Sequence, residues 1–216
     1  MQALFPKSAN AIYWLAIGGS ALALFALPAV FILWARTPYA TGSQEPAAQP
    51  VKFDHRHHVR DDGIDCLYCH GSAQSTKYAG VPATSVCMSC HNQIWTESPE
   101  LAPVRQSYFA KTPIHWQRVN SLPDFVFFDH SIHVNKGVGC VTCHGRVDQM
   151  GQVYAAESLT MDFCLDCHRE PEKHLRPLDQ ITNMEWKPDR PQELIGRELR
   201  AKLGVRSITD CSGCHR

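Results

Sequence analysis

One unit recurs five times in this chain of 216 residues and leaves it few ways to fold. The copies are Cys66-Leu67-Tyr68-Cys69-His70, Cys87-Met88-Ser89-Cys90-His91, Cys140-Val141-Thr142-Cys143-His144, Cys164-Leu165-Asp166-Cys167-His168 and Cys211-Ser212-Gly213-Cys214-His215. All ten cysteines fall in these units. On a helical turn, residues i, i+3 and i+4 share a face, so two thiols and one imidazole point the same way. That is what c-type haem attachment needs: two thioether bonds to the vinyl groups, with the adjoining histidine on the iron. Zinc ribbons use Cys-x-x-Cys pairs without requiring a histidine directly after the second cysteine. A disulfide framework would not repeat one spacing, and a thioredoxin-like site stands singly on a βαβ unit. The reading is five covalently attached haem c groups.

Length then fixes the fold class. About 33 residues of the region after residue 52 serve each haem, too few to build an apolar core around every cofactor. The haems must themselves form the core. The expectation is a mostly α and irregular multihaem cytochrome c domain with little sheet, a short helix at each motif and much loop. The formal charge is balanced, with 21 Lys+Arg against 21 Asp+Glu, which gives no reason to expect a nucleic-acid partner.

Between Lys7 and Arg36 lie 28 residues without a formal charge, with Trp14 and Trp34 near the two ends. The spacing of the tryptophans corresponds to about 30 Å of helix, the thickness of a bilayer's hydrocarbon core. Aromatic residues favour both membrane interfaces. The stretch is longer than the apolar region of a signal peptide, so it reads as an uncleaved transmembrane helix. Lys7 and Arg36 balance, so charge does not orient it. Haem c is attached on the outer side of the bacterial inner membrane, which puts the haem domain on the periplasmic face. Ala16 with Ser20, and Gly19 with Ala23, offer small surfaces for a partner helix. The expected segments are a cytoplasmic tail at 1–10, the membrane helix at 11–35 and an extended linker at 36–52. A first two-haem module at 53–110, a second at 111–180 and a single-haem segment at 181–216 follow.

The modules come from an internal repeat. Phe53-Asp54-His55-Arg56-His57-His58-Val59 matches Phe128-Asp129-His130-Ser131-Ile132-His133-Val134 at five of seven positions, and each run precedes two haem motifs. Seven histidines lie outside the motifs: His55, His57, His58, His115, His130, His133 and His174. The duplicated pairs resemble the Phe-x-His-x-x-His element of class III and triheme cytochromes. The resemblance implies that His55, His58, His130 and His133 are the second axial ligands of four irons. The fifth sixth-ligand is Met184, with His174, Met161 and His115 as alternatives; His57 has no counterpart in the second run, where Ile132 stands.

The connecting segments carry a closer resemblance. They are Ile114-His115-Trp116-Gln117-Arg118-Val119, Leu122-Pro123-Asp124-Phe125-Val126-Phe127-Phe128-Asp129-His130, Leu159-Thr160-Met161-Asp162-Phe163-Cys164, His174-Leu175-Arg176-Pro177, Ile181-Thr182-Asn183-Met184-Glu185-Trp186 and the terminal Asp210–Arg216. With one helix ahead of five haem motifs, the chain resembles the pentahaem cytochrome subunit of bacterial alternative complex III over essentially its whole length. Asn120 stands where some of those relatives carry histidine and is not counted as a ligand.

That resemblance implies a subunit that collects electrons from integral membrane quinol-oxidising subunits and an iron–sulfur subunit. It would pass them to a monohaem cytochrome c or a terminal oxidase, with no catalytic site of its own. Two other readings stay open. One is a free-standing quinol dehydrogenase of the NapC/NrfH type, although Ser72 occupies the position where that family often has methionine. The other is a periplasmic reductase with one open haem, although no motif here has lysine in place of its histidine.

Overall fold

The computed structural model describes Pro6 and residues 8–215. Lys7, most of the expected cytoplasmic tail and Arg216 lie outside the described residues. Two compact units are present, Met1–Gly42 and Ser43–Arg216.

In the first unit, α1 spans Ala9–Ala35, starting two residues before the expected helix. Its 27 residues give about 40 Å of length. None of them is buried, Pro28 lies within the helix, and its apolar window has a mean hydropathy of 2.2. The helix is long and apolar enough to cross a membrane. The linker is not wholly extended as expected. A single turn, α2 (Pro38–Thr41), interrupts it because Thr37 accepts the Ala40 N–H and left-handed Gly42 ends the turn.

The second unit is helical and loop-rich, with no strand among the described residues and only two isolated bridges, Val126 to His215 and Val138 to Leu175. Helices form at the motifs: α3 (Cys66–Cys69), α4 (Thr84–His91), α7 (Cys140–His144), α8 (Met161–Arg169) and α10 (Cys211–Cys214). Three further helices lie between them, α5 (Ala102–Ala110), α6 (His130–Asn135) and α9 (Gln192–Leu203). The twelve-residue α9 departs from the expectation of helices at the motifs alone. It begins after Pro191, ends at left-handed Gly204, and packs on the turn Pro171–Lys173. Gly196 permits that approach: a Cβ there would sit 1.8 Å from the Glu172 carbonyl oxygen.

The apolar core is thin. Nine hydrophobic side chains are buried among the described residues, and the one cluster they form joins Val51, Met88 and Val104 beneath Trp116 and Ile114. An ordinary core does not organise this unit. The motif segments do, and they bring the two repeats together reciprocally. The first histidine run, wound as a π-helix over Arg56–Asp61, packs against the turn Val147–Gln149 that follows the third motif. The second run, which opens α6, packs against the turn Gly71–Gln74 that follows the first motif.

Candidate metal centre

Each motif supplies one turn of helix or the end of one, with His91, His144 and His168 inside their helices and His70 and His215 following theirs as C-caps in non-helical geometry. None of the ten cysteines is paired in a disulfide. Burial pushes Cys143 up to about 12 and Cys167 to about 11, with neighbouring thiols and acids adding to the effect. The thiols also report which motifs are neighbours. Cys69 of the first motif interacts with Cys87 and Cys90 of the second. Cys66 of the first shares a hydrogen bond with Cys140 of the third, and that bond together with burial raises the Cys66 thiol. Cys143 of the third interacts with Cys164 and Cys167 of the fourth, and Cys164 with Cys214 of the fifth. Neighbouring thiols therefore link the second motif to the first, the first to the third, the third to the fourth and the fourth to the fifth. Cys90 and Cys211, in the second and fifth motifs, are the exposed cysteines.

The duplicated histidines meet motif histidines in pairs. His58 stands opposite His91 with ring centroids 6.2 Å apart, His133 opposite His168 at 6.1 Å, and His130 opposite His144 at 6.1 Å. His55 lies near enough to His70 for the two rings to influence each other electrostatically. Two imidazoles bound through Nε2 to opposite faces of one metal, at about 2 Å each, would have centroids roughly 6 Å apart. Burial pushes both His55 and His144 down to about 4, with the neighbouring histidines adding to the shift, so both are neutral near pH 7. A neutral imidazole is the ligand form.

The proton of four of these rings is accounted for as well. The Nδ1 of His58 donates to the Asp54 carbonyl at 2.9 Å, His133 to the Asp129 carbonyl at 2.7 Å and His70 to the Gly80 carbonyl at 2.8 Å. The Nδ1 of His130 donates to the Lys77 carbonyl at 3.3 Å. A carbonyl can only accept, so Nδ1 carries the proton and Nε2 is left as the donor to metal.

These contacts test the fit of haem c. Among the described residues, no group of three or more His, Cys, Asp and Glu side chains converges as a bare metal site requires. Imidazoles instead meet two at a time, matching the two axial positions of an iron whose other four ligands come from a porphyrin. The residues fit haem c.

The structure also adds residues to which the sequence reading gave no role. Phe53 lies over His58 at 4.4 Å and meets His55 edge-on at 4.7 Å. Phe128 repeats this with His133 at 4.7 Å and His130 at 4.9 Å. The Asp129 side chain caps α6 through the Ser131 N–H, and Asp54 accepts the Arg56 N–H. The signal for all four was the match of Phe and Asp in both runs.

The candidates for the fifth site are dispersed. His115 is exposed, Met161 is 65% exposed, and His174 approaches Asp166 of the fourth motif at 4.0 Å. Met184 is half-buried, and its neighbours engage the first and third motifs: Thr182 donates to Asp65, Arg146 pairs with Glu185 at 2.9 Å, and Arg176 holds the Asn183 carbonyl. The fifth motif meets a different segment, with Phe127 N–H donating to the Cys214 carbonyl and Phe125 lying 5.8 Å from His215. His57 lies on the Trp95 ring and 3.7 Å from Asp62.

The comparisons with known proteins agree with the site. The family described as cytochrome c7 and related cytochrome c matches residues 126–216, which include the third to fifth motifs. The multihaem cytochrome c subunit of a menaquinone reductase from Nitratidesulfovibrio vulgaris (strain Hildenborough) is 33% identical over 182 residues. That match covers 74% of this chain and 85% of the relative. Paired imidazoles, cysteine pairs on one helical face and these similarities converge: the chain belongs to the multihaem cytochrome c family.

Proposed function

We propose that this chain is a membrane-anchored pentahaem cytochrome that relays electrons within a quinol-oxidising complex of the alternative complex III kind. It would collect them from integral membrane quinol-oxidising subunits and an iron–sulfur subunit. A monohaem cytochrome c or a terminal oxidase would take them up. When bound, haem c supplies a one-electron ferric/ferrous couple at each motif. The chain's residues would do the rest. The cysteine pairs would fix each macrocycle. His70, His91, His144, His168 and His215 would hold the irons from one side. His55, His58, His130 and His133 would close the first, second, third and fourth sites from the other, with Met184 proposed for the fifth.

The observation that carries this reading is the pairing of imidazoles about 6 Å apart at the second, third and fourth motifs, where two protein ligands on one iron would leave no axial position for a substrate. The neighbouring thiols that link successive motifs support it, and the exposed Cys90 and Cys211 of the second and fifth motifs mark where partners would dock. Helix α1 would anchor the chain in the inner membrane, with the haem unit on the periplasmic face.

The relative's name favours a second reading, in which the same motifs carry electrons toward menaquinone rather than away from a quinol. A haem-stained native gel of mildly solubilised membranes, with mass spectrometry of the band, tests the proposal. A large band holding membrane subunits, an iron–sulfur subunit and further cytochromes is expected. A band of this chain alone would overturn it. If the isolated complex reduces menaquinone with a periplasmic donor but does not oxidise quinol, the second reading replaces the first.

A further inference from the structure

An imidazole that binds metal through Nε2 keeps its proton on Nδ1, and the acceptor of that proton fixes the ring plane and strengthens the ligand. Backbone carbonyls take this role for His58, His70, His130 and His133, where no substitution can remove them. His144 differs. The group at its Nδ1 is the side-chain amide of Asn120, 3.3 Å away, with Nδ2 as the nearer end and Oδ1 buried without a partner. The two ends of an amide are told apart by their hydrogen bonds, not by their shape. With the proton on His144 Nδ1, the amide turns so that Oδ1 accepts it. That exchange gives the buried oxygen the partner it lacks.

The ring planes set this pair apart too. His130 and His144 lie 5° from parallel, whereas His58 and His91 cross at 67° and His133 and His168 at 69°. We propose that Asn120 is a positioning residue of the third site, whose side-chain oxygen holds His144 in the near-parallel plane and sets its donor strength toward iron. The proposal rests on the reading of His130 and His144 as an axial pair. Among the ligands whose Nδ1 partners are described above, His144 is the one that a single side-chain replacement can tune.

A stronger acceptor gives the imidazole more anionic character, which favours ferric iron and lowers the reduction potential; a lost acceptor raises it. Low-spin ferric iron with near-parallel axial planes gives a rhombic paramagnetic resonance, while steeply crossed planes give a large-g-max signal. The third site is therefore separable from the second and fourth. The experiment is a redox titration of the purified, haem-loaded protein followed by that resonance, in wild type, Asn120→Asp and Asn120→Leu. The expected result is a rhombic component whose midpoint falls in Asn120→Asp and rises in Asn120→Leu, while the large-g-max components keep theirs. A rhombic midpoint unchanged in Asn120→Asp overturns the proposal, and this holds even if Asn120→Leu fails to accumulate. A uniform shift of every component overturns it as well. If wild type has no low-spin signal from paired imidazoles, the axial-pair reading itself fails, an outcome distinct from the other two.

Discussion

In the first module the run Phe53–Val59 leads into a π-helix against Val147–Gln149, whereas in the second the run Phe128–Val134 opens α6 against Gly71–Gln74. The five shared residues produce nearly the same local geometry in both. The phenylalanine-to-histidine distances agree within a few tenths of an ångström, and the second histidine meets its motif partner at 67° in one module and 69° in the other. The unshared residues decide how each run is held from outside. In the second module the His130 and Ser131 N–H groups donate to the Lys77 and Thr76 carbonyls, and the Asn135 amide donates to Gln74. In the first, Arg56 folds back onto Asp54 and Arg60 onto Asp61. Gly151, which follows His144 at the distance Lys77 follows His70, lies against the Arg56 guanidinium, and the buried His55 Nδ1 has no partner. The second run thus clasps the first module through backbone carbonyls, while the first run holds itself through exposed ion pairs.

The largest expected effect tests what the two modules share. His55→Ala and His130→Ala should each free one axial position, so that the reduced protein binds carbon monoxide at about one site in five. His130→Ala should also lower the melting temperature more than His55→Ala. It removes a hydrogen bond to Lys77 worth about 1 kcal/mol, and His55 Nδ1 makes none. Equal thermal shifts would break the comparison. A smaller effect sharpens it at equivalent positions: Asn135→Ala should cost about 0.5 kcal/mol, because its amide ties the modules together. Arg60→Ala should have no measurable effect when both variants are compared by urea titration, since its ion pair with Asp61 is solvent-exposed.

The sequence made the motifs, the duplicated histidines and the helical, sheet-poor fold legible because each is written in side-chain identity and spacing. His58, His130 and His133, singled out by the repeat, each lie about 6 Å from a motif histidine. The reciprocal packing of the modules was not legible, because Lys77 and Thr76 take part through carbonyl oxygens that every residue type carries. Helix α9 was not legible, because the close approach of Gly196 to Glu172 that seats it depends on a distant segment. Asn120 is no ligand in the sequence pattern, and its contact with His144 belongs to the layer behind the ligands, which has no motif. The surroundings of Met184 were not legible either, because its neighbours engage the first and third motifs from a distant segment.

The central claim is that protein ligands close both axial faces of every iron, so that the chain relays electrons and binds no substrate. The most direct test is a carbon monoxide difference spectrum of the purified, dithionite-reduced protein, with the haem content of the same sample measured as the pyridine haemochrome. The account predicts five haems per chain and no carbon monoxide-dependent change in the Soret region. A change amounting to about one haem in five would contradict it: one iron would be open, the proposed Met184 ligation at the fifth site would be the first assignment to fall, and a reductase with an open haem would become the better reading.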